Sequence, residues 1–386
     1  MVGKRSAVAE MPASRENIDP AEIGERVARL PGIPAVRAAL AGERAYLVGG
    51  AVRDLLLGLE HPDLDVAVEG DAPALAARLG ADPVAHERFS TATVTVDGVR
   101  VDLAATRAER YPRPGALPEV EPAPLRRDLA RRDFAINAMA VPLAGRPELI
   151  DPHGGLDDLR AGLISALHPE SFVDDPTRAL RAARYAARLG FEIETETFKL
   201  LAYADLGTVS RERVEAELRR LAAEANAPAG FELLARWGLA GIDEGVGARL
   251  EALREVLARP GWSGVVDLAE ATYALGVPDP QLEAGALRLS SAGPSTASEA
   301  AALARGREPA ELAAARVAGA AWLDEYVQEW RHVRLEISGA DLMAAGIPEG
   351  PAVGRGLAAA LDAKLDGRAS GREEELRVAL AAAGGP

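Results

Sequence analysis

The chain has 386 residues, enough for two to four domains, and its hydrophobic fraction of 48% is ample for buried cores. It has no cysteine, which excludes disulfides, disulfide-linked partners and thiolate metal sites and is consistent with a reducing, cytoplasmic setting. The formal net charge of −15 argues against a general nucleic-acid binder but permits locally clustered basic groups. Residues 1–20 predict a polar lead-in without a secretory signal, and no stretch reaches the roughly 20 apolar residues of a membrane span.

The next informative stretch runs from residue 45 to residue 70. A short apolar run at 46–48 stops at Gly49 and Gly50, which predicts a turn whose backbone N–H groups can meet a phosphate. Residues 52–57 then predict a short helix. The period-two alternation of residues 63–68 predicts a strand.

Two carboxylates share one face of this predicted strand. Asp63 and Asp65 are two residues apart, so their side chains point the same way, while Leu64, Val66 and Val68 point into the core. Carboxylates held this close repel each other unless a cation lies between them. The pair therefore indicates a divalent-metal site, although an Asp-x-Asp pair alone is more often a solvated turn or strand end.

Residues 91–103 predict a β-hairpin with Asp97 and Gly98 as its two-residue turn. The turn fixes a register in which the following residues face each other: Val96 with Val99, Val94 with Val101, and Thr93 with Asp102. Asp102 then lies on the polar side of the sheet. It is either a third carboxylate of a metal site or an ordinary polar residue on a solvated face.

Residues 104–124 contain five prolines and no apolar period, which predicts a long loop. Such a loop is either functional or a plain surface linker. Residues 128–140 follow, with the string Arg-Arg-Asp-Phe-Ala-Ile-Asn-Ala at 131–138. Paired arginines can neutralise phosphate charge, and Asp133 can accept from ribose hydroxyls. A surface helix with internal ion pairs is the alternative interpretation.

A well-formed helix is predicted from about residue 176 to Gly190. Asp174 or Asp175 caps it and Pro176 lies early in it. Three arginines recur at helical spacing on one of its faces, namely Arg181, Arg184 and Arg188.

Five strings in this order resemble the motifs of the class II tRNA nucleotidyltransferases and bacterial poly(A) polymerases, which are polymerase-β-like nucleotidyltransferases. They are Gly-Gly-x-Val-Arg-Asp-x-Leu-Leu-Gly with Asp-x-Asp at 49–65, Arg-Arg-Asp-Phe-x-x-Asn-Ala at 131–138, Asp-Pro-x-Gly-Gly-x-x-Asp-Leu at 151–159, Asp-Asp-x-x-Arg at 174–178, and Glu-Arg-x-x-x-Glu-Leu at 212–218. The chain departs from the family in having Asp174 in place of Glu and His153 in place of the commoner Phe. The proline-rich stretch resembles the family's mobile loop.

The resemblance implies an α+β fold, with an N-terminal nucleotidyltransferase head containing a small mixed sheet, followed by an all-α neck, body and tail. The implied domains are the lead-in at 1–20, the catalytic head at 21–160, the base-recognising neck at 161–225, the body at 226–300 and a tRNA-binding tail at 301–386.

The resemblance also implies a reaction: template-independent addition of C and A nucleotides from CTP and ATP to the 3′ end of tRNA. Asp63 and Asp65 would hold two Mg²⁺ ions, with Asp102 as a third catalytic carboxylate. The implied nucleotide-binding residues are grouped by what they contact: Gly49, Gly50 and Arg53 for the triphosphate; Arg132, Asp133 and Asn137 for the ribose; Asp175 and Arg178 for the base; and Arg181 and Arg184 beside them. A carboxylate can accept from the exocyclic amino group that only C and A carry at that position.

Other activities remain open. A poly(A) polymerase, or an enzyme that adds only CC or only A, would carry the same motifs. A glycosyltransferase could use Asp63 and Asp65 for a sugar nucleotide, but this does not explain the strings at 131–138 and 174–178. A non-catalytic RNA-binding module would have no use for three intact carboxylates.

Overall fold

The computed structural model describes residues 18–59, 63–80, 84–86 and 90–384. The chain divides into two compact units, the first ending at Leu239 and the second beginning at Ala240. Most of the predicted lead-in, residues 1–17, lies outside the described residues. The boundaries predicted at 160, 225 and 300 stay predictions.

The first unit contains a six-stranded sheet and eleven α-helices among its described residues. The strands of the sheet are β1 (Ala45–Val48), β2 (Asp63–Val68), β3 (Val84–His86), β4 (Thr91–Val96), β5 (Val99–Ala105) and β8 (Ala140–Pro142). Four further strands form two separate pairs, β6 (Arg107–Arg110) with β7 (Glu119–Pro122) and β9 (Leu163–Ile164) with β10 (Glu192–Ile193). The helices are α1 (Ile23–Arg29), α2 (Ile33–Ala39), α3 (Gly50–Leu56), α4 (Ala72–Leu79), α5 (Leu125–Ala130), α6 (Gly155–Ala161), α7 (Ser171–Asp174), α8 (Thr177–Leu189), α9 (Thr195–Leu200), α10 (Arg211–Ala222) and α11 (Ala227–Arg236).

The six-stranded sheet has the order β3-β4-β5-β2-β1-β8. Its strands pair antiparallel except β2 and β5, which run parallel, so the predicted mixed sheet is confirmed. The predicted hairpin register is also confirmed, since all three facing pairs occur as expected. The apolar sides of β2, β4 and β5 are buried and form the core of this layer.

The parallel pairing of β2 with β5 was not predicted, and it determines the geometry of the carboxylates. It places Asp63 opposite Arg100 and Asp65 opposite Asp102. Paired residues on neighbouring strands project from the same face of a sheet. The three predicted catalytic aspartates therefore share one face.

The prediction of a structureless loop at 104–124 was wrong. Its two ends form the antiparallel pair β6–β7, with Arg107 opposite Pro122 and Arg110 opposite Glu119. Four of the five prolines lie outside the hydrogen-bonded strands, and the fifth, Pro122, lies at the end of β7. The backbone N–H groups needed for pairing are therefore still present.

The predicted arginine-bearing helix is confirmed as α8, which ends at Gly190 with that glycine in the left-handed conformation. Its start differs from the prediction. Asp174 ends the short helix α7, and the side chain of Asp175 accepts from the backbone N–H of Thr177 at 3.0 Å.

The described part of the second unit contains helices and no strand. Its α-helices are α12 (Val246–Leu257), α13 (Leu268–Gly276), α14 (Pro280–Ser291), α15 (Ala297–Ala304), α16 (Pro309–Val317), α17 (Leu323–Gln328), α18 (Gly339–Ala344), α19 (Pro351–Leu365) and α20 (Gly371–Ala383). Ser338 and Asp341 form a capping box at the start of α18. No helix in the described ranges combines the length and the apolarity that crossing a membrane requires.

Candidate active site

A cavity of about 700 Å³ opens in the first unit beside the strand β2. Eleven of the thirteen predicted site residues line it: Gly49, Gly50, Arg53, Asp65, Arg132, Asp133, Asn137, Asp175, Arg178, Arg181 and Arg184. The motifs that resemble a nucleotide site thus meet around one space, although they are spread over more than 130 positions of the sequence.

Asp63 and Asp102 are the two predicted residues that do not line this cavity. Asp102 lines a neighbouring cavity of about 470 Å³, and Asp65 lines both. Asp65 therefore lies where the two spaces adjoin.

The glycine turn after β1 packs directly against the cavity wall. Gly49 has φ +67°, which favours glycine, and a Cβ atom there would lie 2.8 Å from Nη1 of Arg132. The same guanidinium donates through Nη2 to Asp128 at 3.0 Å. A side chain at Gly49 would therefore displace the Arg132 guanidinium from its present position.

Arg53 lies deeper than its predicted triphosphate role suggests, with only 2% of the residue exposed. Its Nε donates to Asp54 at 2.8 Å and its Nη1 donates to the Asn137 side-chain oxygen at 2.6 Å. The guanidinium is thus held by Asp54 and Asn137. The hydrogen bond to the Asn137 side chain also orients that amide.

Asp133 is buried and accepts four hydrogen bonds. Arg181 donates to it from Nε at 2.8 Å and from Nη2 at 2.6 Å, while the Phe134 N–H and the Asn137 amide donate to its other oxygen. Burial by itself raises the pKa of Asp133, but the Arg181 charge and the Asn137 hydrogen bond outweigh it and lower the pKa to about 2. The group is therefore a fixed anion in a basic cavity.

The ring of Tyr185 contacts three of the cavity's arginines. The guanidinium carbons of Arg184, Arg53 and Arg181 lie 4.6, 5.1 and 5.5 Å from its ring centroid. Cations over an aromatic face are attracted by its negative quadrupole, so the ring partly offsets their mutual repulsion. Phe134 packs edge-on against the same ring at 6.0 Å.

The predicted base-reading pair borders the cavity with partners already in place. Arg178 donates to the Ser171 hydroxyl and to the Arg131 carbonyl, both at 2.8 Å. Asp175 forms an ion pair with Arg213 at 2.9 Å. These contacts fix the orientation of both side chains, as a site that discriminates between bases requires.

The carboxylates on the sheet face have the chemistry for a magnesium ion, because Mg²⁺ prefers oxygen ligands. Asp102, however, is engaged by Arg100 at 3.1 Å and by the Thr93 hydroxyl. Within the described ranges, no group of three or more acidic or histidine side chains is arranged to hold a metal ion. The carboxylates of Asp63 and Asp65 fit such an ion chemically, and Asp102 would have to leave Arg100 before it could join them.

Sequence reasoning missed several arginines of the cavity wall: Arg107, Arg131, Arg188, Arg213 and Arg220. Four of them carried a signal. Arg131 is the first of the paired arginines at 131–132, Arg188 shares the helical face of Arg181 and Arg184, and Arg213 belongs to the Glu-Arg-x-x-x-Glu-Leu string. Arg107 lies in the stretch that resembles the family's mobile loop. Arg220 lies outside any motif, and only the tertiary structure brings it to the cavity.

Tyr111 was also missed, and it links the β6–β7 pair to Arg178, the predicted base-reading arginine. Its hydroxyl donates to Glu109 at 3.0 Å and accepts from Arg178 at 3.4 Å. Burial and the nearby carboxylates of Glu109 and Asp175 raise the pKa of Tyr111 to about 12.

Comparison with known proteins agrees with this geometry. Residues 45–165 match the family described as the poly A polymerase head domain. The chain is 37% identical to the CC-adding tRNA nucleotidyltransferase of Deinococcus radiodurans, over 87% of this chain and 88% of that relative. It is 50% identical to the A-adding tRNA nucleotidyltransferase of Aquifex aeolicus, over 42% of this chain and 20% of that relative. The A-adding relatives are matched over 47% of their own length or less.

Among solved structures, the Thermotoga maritima CCA-adding enzyme complexed with tRNA is similar with a TM-score of 0.75. The sequence identity is 27%, and the match covers 94% of this chain and 98% of that one. The matches to the Deinococcus relative and to this structure extend far beyond the head domain. By its motifs, its fold and these near full-length matches, the chain belongs to the family of tRNA nucleotidyltransferases and bacterial poly(A) polymerases.

Proposed function

We propose that the protein adds C and A nucleotides from CTP and ATP to the 3′ end of tRNA without a template. The tRNA 3′-hydroxyl attacks the α-phosphorus of the nucleotide, a new phosphodiester bond forms, and pyrophosphate leaves. The observation that carries the proposal is the position of Asp65 between two cavities, one of which is lined by the arginines and by the buried anion Asp133.

The two cavities suggest separate binding sites for the nucleotide and for the tRNA 3′ end. The larger, arginine-lined space suits the triphosphate, because guanidinium groups bind phosphate oxygens in a bidentate manner. The smaller space holds Asp102, Thr91, Thr93 and Arg100 and suits the 3′ end of the acceptor. Each reactant then approaches Asp65 from its own side.

Divalent metal is the cofactor that this arrangement fits, and the family generally uses it. We propose two Mg²⁺ ions at Asp63 and Asp65, where bound metal would lower the pKa of the attacking hydroxyl and neutralise the leaving pyrophosphate. Asp63 and Asp65 hold their positions through the register of β2. Asp102 would contribute once it separates from Arg100.

Base choice would come from Asp175 and Arg178, and ribose choice from Asp133, Asn137 and Arg132. Arg178 is held by backbone and hydroxyl groups, so its remaining donors have a defined direction. A defined donor beside a carboxylate acceptor matches the edge that C and A share and that U and G lack.

The substitutions Asp63→Ala and Asp65→Ala test the site. Each is expected to reduce nucleotide addition to a tRNA transcript lacking CCA by a factor of about 10³ or more. Manganese binding, followed by electron paramagnetic resonance, should weaken in parallel. Asp97→Asn, in the exposed turn of the same sheet, serves as the matched control and should retain both nucleotide addition and manganese binding. Full activity in the Asp63→Ala and Asp65→Ala variants would refute the assignment.

Addition of CC alone is the second candidate, because the relative matched over most of its length is a CC-adding enzyme. Sequencing the products made on tRNA transcripts that end before C74, after C74, after C75 and after A76 distinguishes the activities. Growth to CCA supports the proposal, growth that stops at CC supports the second candidate, and extended A tracts indicate a poly(A) polymerase.

A further inference from the structure

The second unit contains a cavity of about 300 Å³ whose wall combines aromatic rings with arginines. Tyr326 and Trp330 supply the rings, and Arg305, Arg331 and Arg334 supply the positive charge. The remaining lining residues are apolar, and none of the lining residues is acidic. All the predicted nucleotide-binding residues belong to the first unit, so this cavity has no role in the site described above.

The three arginines of this cavity have no carboxylate partner, unlike seven of the eleven other lysines and arginines of the same unit. For example, Arg316 pairs with Asp324 at 2.9 Å and Lys364 pairs with the buried Glu375. By contrast, the described part of the chain places no carboxylate within 4.0 Å of the three cavity arginines. Three cations without a counter-charge therefore line this one cavity.

The local backbone fixes this charge in place. Nη1 of Arg334 donates to the carbonyls of Arg331 and Val333 at 2.8 and 2.9 Å, which folds its side chain over the segment after α17. Ile337 anchors the end of that segment in the core, packed with Leu342 of α18. Arg334 is thus held at the cavity wall without a counter-anion, and an incoming anion would be attracted to it and to the two other lining arginines.

The wall composition identifies the class of ligand. Guanidinium groups bind phosphate, and exposed faces of Trp and Tyr stack on nucleobases. The volume is at the small end of ligand pockets, which suits one base and its phosphate but not a folded segment. An acidic peptide would use the arginines but would leave the two aromatic rings without a role.

We propose that this cavity binds one unstacked nucleotide of the tRNA, with the base against Trp330 and Tyr326 and the phosphate against the three arginines. The proposal rests on the proposed function only in taking tRNA as the source of the nucleotide. It narrows the tRNA-binding tail expected at 301–386 to one cavity and one unstacked nucleotide, and the lining residues belong to none of the five motifs.

The test measures the affinity of the full chain for a fluorescently labelled tRNA transcript by anisotropy at several salt concentrations. Trp330→Ala should weaken binding about tenfold, because loss of one stacked base typically has an effect of this order. The double variant Arg305→Gln, Arg331→Gln should bind more weakly and lower the salt dependence by about one to two released ions. Trp330→Phe, which keeps a ring, should restore most of the affinity.

Arg288→Gln, an exposed arginine on α14 outside the cavity, is the matched control and should bind tRNA like the wild type. Thermal unfolding of each variant separates lost folding from lost contact. If Trp330→Ala unfolds, the double arginine variant carries the test, since Arg305 is exposed and Arg331 is half-buried.

Two outcomes separate this proposal from the previous one. If the wild type adds nucleotides but all variants bind tRNA equally well, the cavity proposal is overturned and the proposed function stands. If the wild type adds no nucleotide to any tRNA but the cavity variants lose tRNA affinity, the cavity proposal stands and the proposed function fails. If the cavity binds a protein segment and not tRNA, all variants would bind tRNA equally well, which is the first of these outcomes.

Discussion

At the scale of single residues, the sequence predicted which side chains meet but not how deeply each lies. Motif order was sufficient to select eleven residues around one cavity, since residues with shared chemistry are brought together by the fold. Burial was not predictable, because it depends on partners distant in the chain. Arg53 illustrates this: its partner Asn137 lies 84 positions away, and their contact removes Arg53 from the surface.

Asp133 yields a prediction about pH. Its folded-state pKa of about 2 lies below the ordinary value of about 3.9, so its stabilising effect is fully present above about pH 4 and is lost as the pH falls through 2. Asp133→Asn should therefore lower the free energy of unfolding by about 2 kcal/mol at pH 7. The difference from the wild type should shrink between pH 4 and pH 2.

Urea unfolding at pH 7, 4 and 2.5 measures this difference. Asp157→Asn, at an exposed aspartate of α6, is the control and should change stability little at any of these pH values. A difference between Asp133→Asn and the wild type that stays constant down to pH 2.5 would show that charge is not its source.

At the scale of elements, the sequence predicted the structure that depends on neighbouring residues but not the pairing of strands distant in the chain. The β4–β5 hairpin was predicted to the register, because its turn and its alternation lie within thirteen consecutive residues. The parallel pairing of β2 with β5 carries no local signal, since period-two alternation does not specify a neighbouring strand. The β6–β7 pair was missed because its prolines were taken to exclude strands.

The segment that joins β6 to β7 gives a prediction at this scale. Gly115 has φ +68°, and a Cβ atom there would lie 2.4 Å from the Thr208 hydroxyl oxygen. Its carbonyl accepts from Arg213, which also pairs with Asp175. Gly115→Ala should therefore displace the segment, loosen the Arg213–Asp175 pair and raise the KM for CTP and ATP severalfold.

Steady-state kinetics on a tRNA transcript measures this effect. Gly145→Ala is a close control, because Gly145 also has a positive φ, +76°, but nothing lies within 4 Å of its would-be Cβ. Both variants bear the backbone strain of about 1–2 kcal/mol, but only Gly115→Ala has the clash. Equal KM values in the two variants would contradict a role for the segment in nucleotide binding.

At the scale of the whole molecule, the charge distribution opposes indiscriminate binding of nucleic acid. The net charge is −15, yet arginines are concentrated in the cavity of the first unit. A polyanion that cannot enter the basic regions meets a repulsive surface. A large excess of unrelated duplex DNA should therefore displace little labelled tRNA at 150 mM KCl.

Competition anisotropy measures this displacement, with unlabelled tRNA as the positive control. Lowering the salt to 20 mM lengthens the range of the repulsion, so DNA should compete no better there. Displacement by DNA as efficient as by tRNA would show that the positive charge is accessible to any nucleic acid.

The parallel pairing of β2 with β5 also has a consequence for synthesis on the ribosome. A chain emerging N-terminus first presents Asp65 long before its neighbour Asp102, and Arg213 and Arg220 of the cavity wall emerge later still. The carboxylates, which would bind divalent cations if left exposed, therefore emerge before every arginine of the cavity wall except Arg53. A nascent chain halted before α10 would already hold eight of the ten lining arginines but would lack Arg213, the ion-pair partner of Asp175, so full catalytic competence has to await α10.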